Sequence, residues 1–511
     1  MKMKDRLKGA LKDPVRVFGI AMIIFVIICY NVLILHNGYR FLNADDSSEL
    51  VLARILASEH GILSKNWLYS SELRVFNTNL VFAPMFMLFS SWSTVRAVGG
   101  SILLLLYVVS YILIPYAWKY DSKFFYATAF ILIMPFANPW YFFGLKMYYI
   151  PHVFISFVSF ALLGCIYHSA DMRRAALPGA FLIVFAFVAG LGGARSLEYT
   201  FAPLLLTALM SAISEKKSRR ALLFTVAAAA SSAAGYLIND RVLSGIYSFH
   251  SYADVSFIRL TFEKLEWALD CVLASFGYVI GEYFISFGGI CNTLAFLMTV
   301  LFFASFFMLY KKRGELGDAG KYMYYFATVT FALNTFLMVT GQNDEYADRF
   351  IAIGMVPSIM LIDLVIKTYF DDEKKRRIAG IVVISFFLLV GAKGYMDLLH
   401  VAGNGERLGY IGFLEDAGYD HGYATFWNAN ITTEMSDGKI NMTSLDPNAE
   451  KPVIFRWLTD KRLIDEDQGK AFLLLTSDEK GMYEGSEPVY SDEYFSVYDI
   501  DKSEIDPGEQ D

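Results

Sequence analysis

VFGIAMIIFVIICYNVLIL, residues 17–35, followed within ten residues by NADDSSELVLARILASEHGILSKNWLYSSELRVFNTNL, residues 43–80, decides how this chain is read. The first stretch holds no charged residue, and about 20 apolar residues cross a ~30 Å hydrocarbon core. The second is polar and opens on two adjacent acids, Asp45 and Asp46. Glu49, Ala53 and Leu56 follow them at helical spacing. A membrane span therefore delivers a polar helix to the membrane boundary.

The same alternation repeats along the chain. Of 511 residues, 55% are apolar and only 19% charged, a low charged share for a soluble protein. Apolar runs near 17–35, 98–117, 124–138, 151–168, 179–195, 199–213, 221–239, 287–310, 322–340, 350–367 and 378–395 predict about eleven spans. The stretch 80–92, LVFAPMFMLFSSW, is apolar as well. We read 80–117 as one broken crossing; a full crossing at 80–92 would put Arg173/Arg174 outside unless another segment is re-entrant, and thirteen crossings are the alternative count. The predicted fold class is mainly α, a polytopic transmembrane helical protein with a small α/β or α+β soluble domain at its C-terminal end. Residues 1–396 form the transmembrane domain, with a first outer loop at 36–79, and 397–511 the soluble domain.

Lys and Arg in short loops set orientation. The leader MKMKDRLKGALKDPVR, Arg173/Arg174, EKKSRR at 215–220, KKRGELGDAGK at 311–321 and DDEKKRR at 371–377 alternate with the spans as cytoplasmic loops. The N-terminus is then inside, the first span uncleaved, and the C-terminal domain extracytoplasmic. The loops 36–79, 138–150, 240–286 and 341–350 share its side. Within 240–286, FEKLEWALDCVLASFGYVIGEYF reads as amphipathic and lying partly on the membrane surface. In the tail, KPVIFRWL, KAFLLLT and YFSVYDI read as strands, and the final DKSEIDPGEQD as disordered.

Charge is split between the two parts. Residues 401–511 carry 9 Lys plus Arg against 24 Asp plus Glu, a net of −15, whereas the rest nets +8. So acidic a tail excludes nucleic-acid binding by counterion release; the charge keeps an exposed domain soluble. Cys29, Cys165, Cys271 and Cys291 lie in or beside apolar stretches and make no metal-ligand spacing.

Two acids at a membrane boundary need an explanation, because carboxylates beside hydrocarbon are costly unless paired or used. One reading is structural: Asp45 or Asp46 caps a helix, with Ser47 and Ser48 completing its start. The other is chemical: one carboxylate acts as general base on a hydroxyl, and the second holds a metal or orients an acceptor. Glu49, Glu72 and Arg74 in the same loop are candidates to support the loop or the acceptor. A phosphate leaving group would need cations. Arg195 in GGARSLEYTF, Arg349 in DEYADRFIAIGMVP and Lys146 in FFGLKMYY all fall on the outer side. A guanidinium there grips phosphate oxygens. Headgroup anchoring and ion pairs with neighbouring Glu198 and Asp348 are the plain alternatives.

These features together resemble the GT-C superfamily of integral membrane glycosyltransferases, which includes protein O-mannosyltransferase-like, aminoarabinose-transferase-like and oligosaccharyltransferase-like enzymes. The resemblance rests on a short basic leader, a first span, Asp45–Asp46 at the start of a long outer loop, a late Arg349, Phe350 and Pro357, and an outward C-terminal domain. By motif it covers only 44–84 and 345–357. It implies transfer of a sugar from a polyprenyl-phosphate donor to a cell-envelope acceptor at the outer face of a bacterial-type plasma membrane. Asp45 would be the principal carboxylate, Asp46 next in line, and Arg349 a donor-phosphate contact. Whether the reaction needs a divalent metal is left open by the resemblance; if it does, Mg or Mn would sit on Asp45 and Asp46. The chain departs from the family pattern in two places: 138–150 holds no acid, and the tail has no WWD-type motif. A transporter or flippase of lipid-linked saccharides and a non-catalytic envelope scaffold are the rival classes.

Smaller signals read plainly. His60, His152 and His250 are polar groups at interfaces. Gly192 and Gly193 read as small residues for close helix packing, with a phosphate-cradling turn as the alternative. NIT at 430–432 and NMT at 441–443 fit the N-glycosylation pattern.

Overall fold

A computed structural model describes residues 13–70, 73–136, 147–214, 217–249, 259–341, 348–401, 403–465 and 470–508. Residues 1–12 of the leader, Glu72, Lys146, His250, most of the loop 138–150 and the side chain of Arg349 lie outside the described residues.

Helix α1 (Pro14–Asn37) is the first apolar run. Ile24, Ile28 and Val32 make an exposed stripe along it. Helix α2 (Ala44–Glu59) carries the acid pair, and strand β1 (Trp67–Tyr69) follows. Helix α3 (Asn79–Phe86) precedes α4 (Trp92–Ala117). Eight helical residues reach only ~12 Å, so α3 does not cross a membrane, and the thirteen-span count fails with it.

Next come α5 (Phe124–Thr128), α6 (Ile150–Tyr167), α7 (Met172–Gly190), α8 (Ala202–Ser214) and α9 (Ser218–Arg241). After strand β2 (Ser248–Phe249) follow α10 (Phe262–Ser275), α11 (Phe287–Lys311), α12 (Gly317–Thr340), α13 (Asp348–Met355), α14 (Ile359–Tyr369) and α15 (Glu373–Leu399). Among the described residues nine helical stretches are long and apolar enough to cross a membrane.

Two of the eleven predicted spans are shorter apolar helices, Phe124–Ile133 and Leu197–Ile213. The first stops where Met134 turns extended, the conformation favoured before a proline such as Pro135. The second opens on a π-turn, Leu197–Phe201, just ahead of Pro203, which has no N–H to give a regular ladder. Exposed stripes such as Leu177, Phe181 and Val184 on α7 would be untenable in water as part of so large an apolar surface. A bilayer setting accounts for them.

The tail holds α16 (Arg407–Asp416), β3 (His421–Thr425), α17 (Phe426–Met435), β4 (Asn441–Leu445), β5 (Thr459–Asp460), α18 (Lys461–Asp465), β6 (Ala471–Thr476), β7 (Tyr490–Ser491) and β8 (Phe495–Ile500). Five strands pair in the order β4-β3-β6-β8-β7. β3 is parallel to β4 and β6, whereas β8 is antiparallel to β6 and β7. Phe472 and Leu474 of β6 enter one core and Leu473 and Leu475 the other, so the sheet is covered on both faces. That is why AFLLLT reads as a continuous apolar run.

KAFLLLT and YFSVYDI are strands as expected; KPVIFRWL is not. It makes only isolated bridges, Leu445 to Ile454 and Val453 to Asp506, and Pro452 has no amide hydrogen to donate to a ladder. Residues 501–508 are ordered rather than disordered: Asp501 and Glu504 form a capping box, and Ile505 is buried.

The chain divides into two compact units. One comprises Met1–Cys29, Leu103–Asn239 and Asp254–Leu399; the other comprises Tyr30–Ile102, Asp240–Ala253 and His400–Asp511. In the first, aromatic rings fill the interior, with Phe160 and Phe326 stacked at 4.4 Å and Trp118 and Tyr322 at 4.5 Å. Helices α7 and α9 meet at Gly190 and Gly235, where a Cβ would come within 2.1 Å of the Ser232 carbonyl and 2.3 Å of the Phe187 carbonyl. Gly192 and Gly193 are buried just beyond α7, and Gly193 has φ +100°. On α10, Thr261 caps the helix, Ala268, Cys271 and Val272 are buried, and Phe262, Leu265 and Leu269 are exposed, the expected amphipathic face.

In the second unit a small sheet, β2-β1-β5, draws three distant segments together. The loop after the first span, a piece of the 240–286 loop and the tail therefore fold as one body.

Candidate active site

Helix α2 begins one residue before the acid pair. Its N-cap is Asn43, whose side-chain oxygen accepts from the Asp46 amide at 2.8 Å. The capping role expected of Asp45 or Asp46 is thus filled by Asn43, and the acids occupy the second and third helical positions, where the helix dipole favours negative charge. Their surroundings differ. Asp46 is 5% exposed, beside Ser47 and Ser48, which are buried as well. Asp45 is half-buried. Among the described residues no side chain engages its carboxylate, and only its carbonyl is used, accepting from the Ser48 hydroxyl at 2.7 Å.

Glu49, one turn on, is fully committed. Its carboxylate accepts from Arg74 at 2.9 Å, Thr78 at 3.1 Å and Asn79 at 3.2 Å. The ion pair with Arg74 is mostly buried on both sides. Glu49 and Arg74 fasten the loop after β1 onto α2.

A further pair lies behind Asp46. Arg96, in the first turns of α4, donates from Nε and Nη2 to the two carboxylate oxygens of Glu434 on α17, both at 2.7 Å. Its Nη2 also donates to the Asp46 carbonyl at 3.2 Å, and the Tyr30 hydroxyl donates to the Arg96 carbonyl at 3.1 Å. The sequence held a signal for this pair: an arginine inside an apolar run demands a partner. Which partner it takes, 338 residues away, is set by the tail's fold.

Arg195 belongs to the first unit, its guanidinium carbon 5.9 Å from the Phe350 ring centre. His152 is buried there between Tyr149 and Tyr199. His60 closes α2 in a left-handed conformation. Asn430 of the NIT motif is 2% exposed and donates to the Leu458 carbonyl at 3.0 Å, so its amide is closed to a glycan; Asn441 of NMT is exposed. In the first unit Asp363 is buried and accepts from the Ser122 hydroxyl.

Asp45 and Asp46 occupy successive positions of the first turn of α2. Successive helical residues point about 100° apart, and one carboxylate is buried while the other is half-exposed. Among the described residues no three His, Cys, Asp or Glu side chains converge on one point.

Set against protein-family models and against curated proteins, the chain finds no match in either.

Proposed function

We propose that the chain is a GT-C-type glycosyltransferase. It moves a sugar from a polyprenyl-phosphate donor to a cell-envelope acceptor at the outer face of a plasma membrane. The observation that carries this reading is the state of Asp45. Asn43 takes the capping role and Glu49 the ion pair, while the Asp45 carboxylate is left half-exposed with no side-chain partner among the described residues. A carboxylate held ready in this way serves as a general base.

In the proposed reaction Asp45 takes the proton from an acceptor hydroxyl as its oxygen attacks the anomeric carbon. The bond from that carbon to the phosphate oxygen breaks, and polyprenyl phosphate leaves. Arg195, Arg349 and Lys146 are the cations assigned to the phosphate. An apolar cavity of about 450 Å³ in the first unit, lined by Phe276, Met298, Phe302, Met355 and Val382 among others, supports a lipid-linked donor, since a cavity of this size and lining suits an apolar chain.

The test uses purified protein with a polyprenyl-phosphate sugar and cell-envelope acceptors. Asp45→Asn is expected to lose transfer; turnover equal to wild type would remove Asp45 from the mechanism.

A further inference from the structure

The second unit contains a polar pocket of about 150 Å³ whose walls come from α2, the start of α4 and the tail. We propose that it binds one anionic sugar unit, a hexose bearing a carboxylate or a phosphate.

Arg54 carries the inference. Its guanidinium lies 5.6 Å from the Trp92 ring centre and donates to the Asp437 carbonyl at 3.3 Å. Gly438, at φ +71°, makes room for it: a Cβ there would come within 2.2 Å of Arg54 Nη1 and 2.9 Å of the Trp92 ring. The backbone is thus shaped around this guanidinium. Yet among the described residues no carboxylate pairs with Arg54, although it lines the pocket. Arg462, on the same pocket, already grips Asp460 at 2.6 Å. Arg54 therefore supplies the charge, and its planar fork suits a carboxylate or phosphate.

The rest of the lining suits a sugar ring. The side-chain amide of Asn441, on an edge strand, has no partner among the described residues and lines the pocket. Asn430 spends its NH₂ group on the Leu458 carbonyl, which leaves its oxygen to accept from a hydroxyl. Val51, Ile55 and Leu463 offer apolar surface to the C–H side of a ring. A site for a bare anion would have no use for that surface.

The pocket is not the site of Asp45. Arg54 follows Asp45 by nine residues, ~13 Å along the helix axis and on its opposite side. A role as the grip on a remote unit of the acceptor rests on the transferase reading; the binding itself does not.

The experiment is ligand-observed NMR on the full-length protein in detergent, titrated with glucuronate, glucose 6-phosphate, glucose and inorganic phosphate. At least one charged sugar is expected to bind ten-fold or more tightly than glucose and than inorganic phosphate. Which of the two binds tells carboxylate from phosphate. Arg54→Gln should weaken that binding at least ten-fold and Arg54→Lys less; Asn441→Ala should weaken it several-fold, and Asp45→Asn should leave it unchanged. No binding of either charged sugar, equal binding by Arg54→Gln and Asn441→Ala, or inorganic phosphate binding as tightly as the sugar would overturn the proposal. Transfer lost in Asp45→Asn with sugar binding retained, or the reverse, separates this inference from the transferase reading.

Discussion

Arg96 and Glu434 meet through two 2.7 Å hydrogen bonds, with side chains 7% and 5% exposed. The pair ties the start of α4 to the tail helix α17, and Arg96 adds a bond to the carbonyl of Asp46. A buried pair of this kind is fragile to removal of one partner, because the other charge is left unsolvated. Arg96→Met or Glu434→Leu alone is expected to cost ~3–5 kcal/mol, and the double replacement distinctly less. Thermal unfolding of the three variants in detergent checks this. A double variant that loses the sum of the two single losses would mean that the pair's charges are not coupled.

Asp45 and Glu49 sit one turn apart and should respond in opposite ways. Asp45→Asn removes a carboxylate that no side chain among the described residues engages, so the thermal midpoint should hold. Transfer should fall by ~10²–10⁴-fold, the span of general-base effects. Glu49→Gln removes the charge from the mostly buried carboxylate that Arg74, Thr78 and Asn79 hold, so it should lower stability by ~1–3 kcal/mol. Measuring midpoint and turnover on both variants separates the roles. A destabilised Asp45→Asn would return that residue to a structural role.

These contrasts show what a linear reading reaches. Long apolar runs are legible because a span must satisfy its backbone internally, which leaves hydrophobic length as the signal. The start of α2 was legible too, but its cap was not, because Asn43 and the two aspartates are all good capping residues and only backbone geometry chooses among them. β3 and β4 carry little local signal because HGYAT and NMTSL are five residues long without apolar–polar alternation, and pairing rather than propensity makes them strands. The Arg96–Glu434 and Arg54–Asp437 contacts join residues more than 300 positions apart, and no local pattern encodes such a meeting.

Orientation is open to direct measurement. In a Cys165→Ser background, which removes the exposed native thiol, Ser486→Cys on the tail surface should react with a membrane-impermeant maleimide added to intact cells. Lys374→Cys, in the basic start of α15, should react only after permeabilisation. The reverse pattern would place the acid pair on the cytoplasmic side and remove the lipid-linked donor from the mechanism.

His421, at the start of β3, is 1% exposed. Burial pushes its pKa from the ordinary 6.5 down to about 4, with the Asp420 carboxylate opposing and Lys502 adding to the fall. The folded protein therefore keeps the imidazole neutral, while the unfolded chain takes up a proton below about pH 6.5. The resulting stability is complete above pH 6.5 and is lost as pH falls toward 4, because unfolding then gains a bound proton. Between pH 7.5 and pH 5 this single group should cost ~2 kcal/mol of stability. Denaturant unfolding of the full chain at both pH values measures it, and His421→Leu should remove that part of the pH dependence. An unchanged slope in His421→Leu would show that other groups carry it.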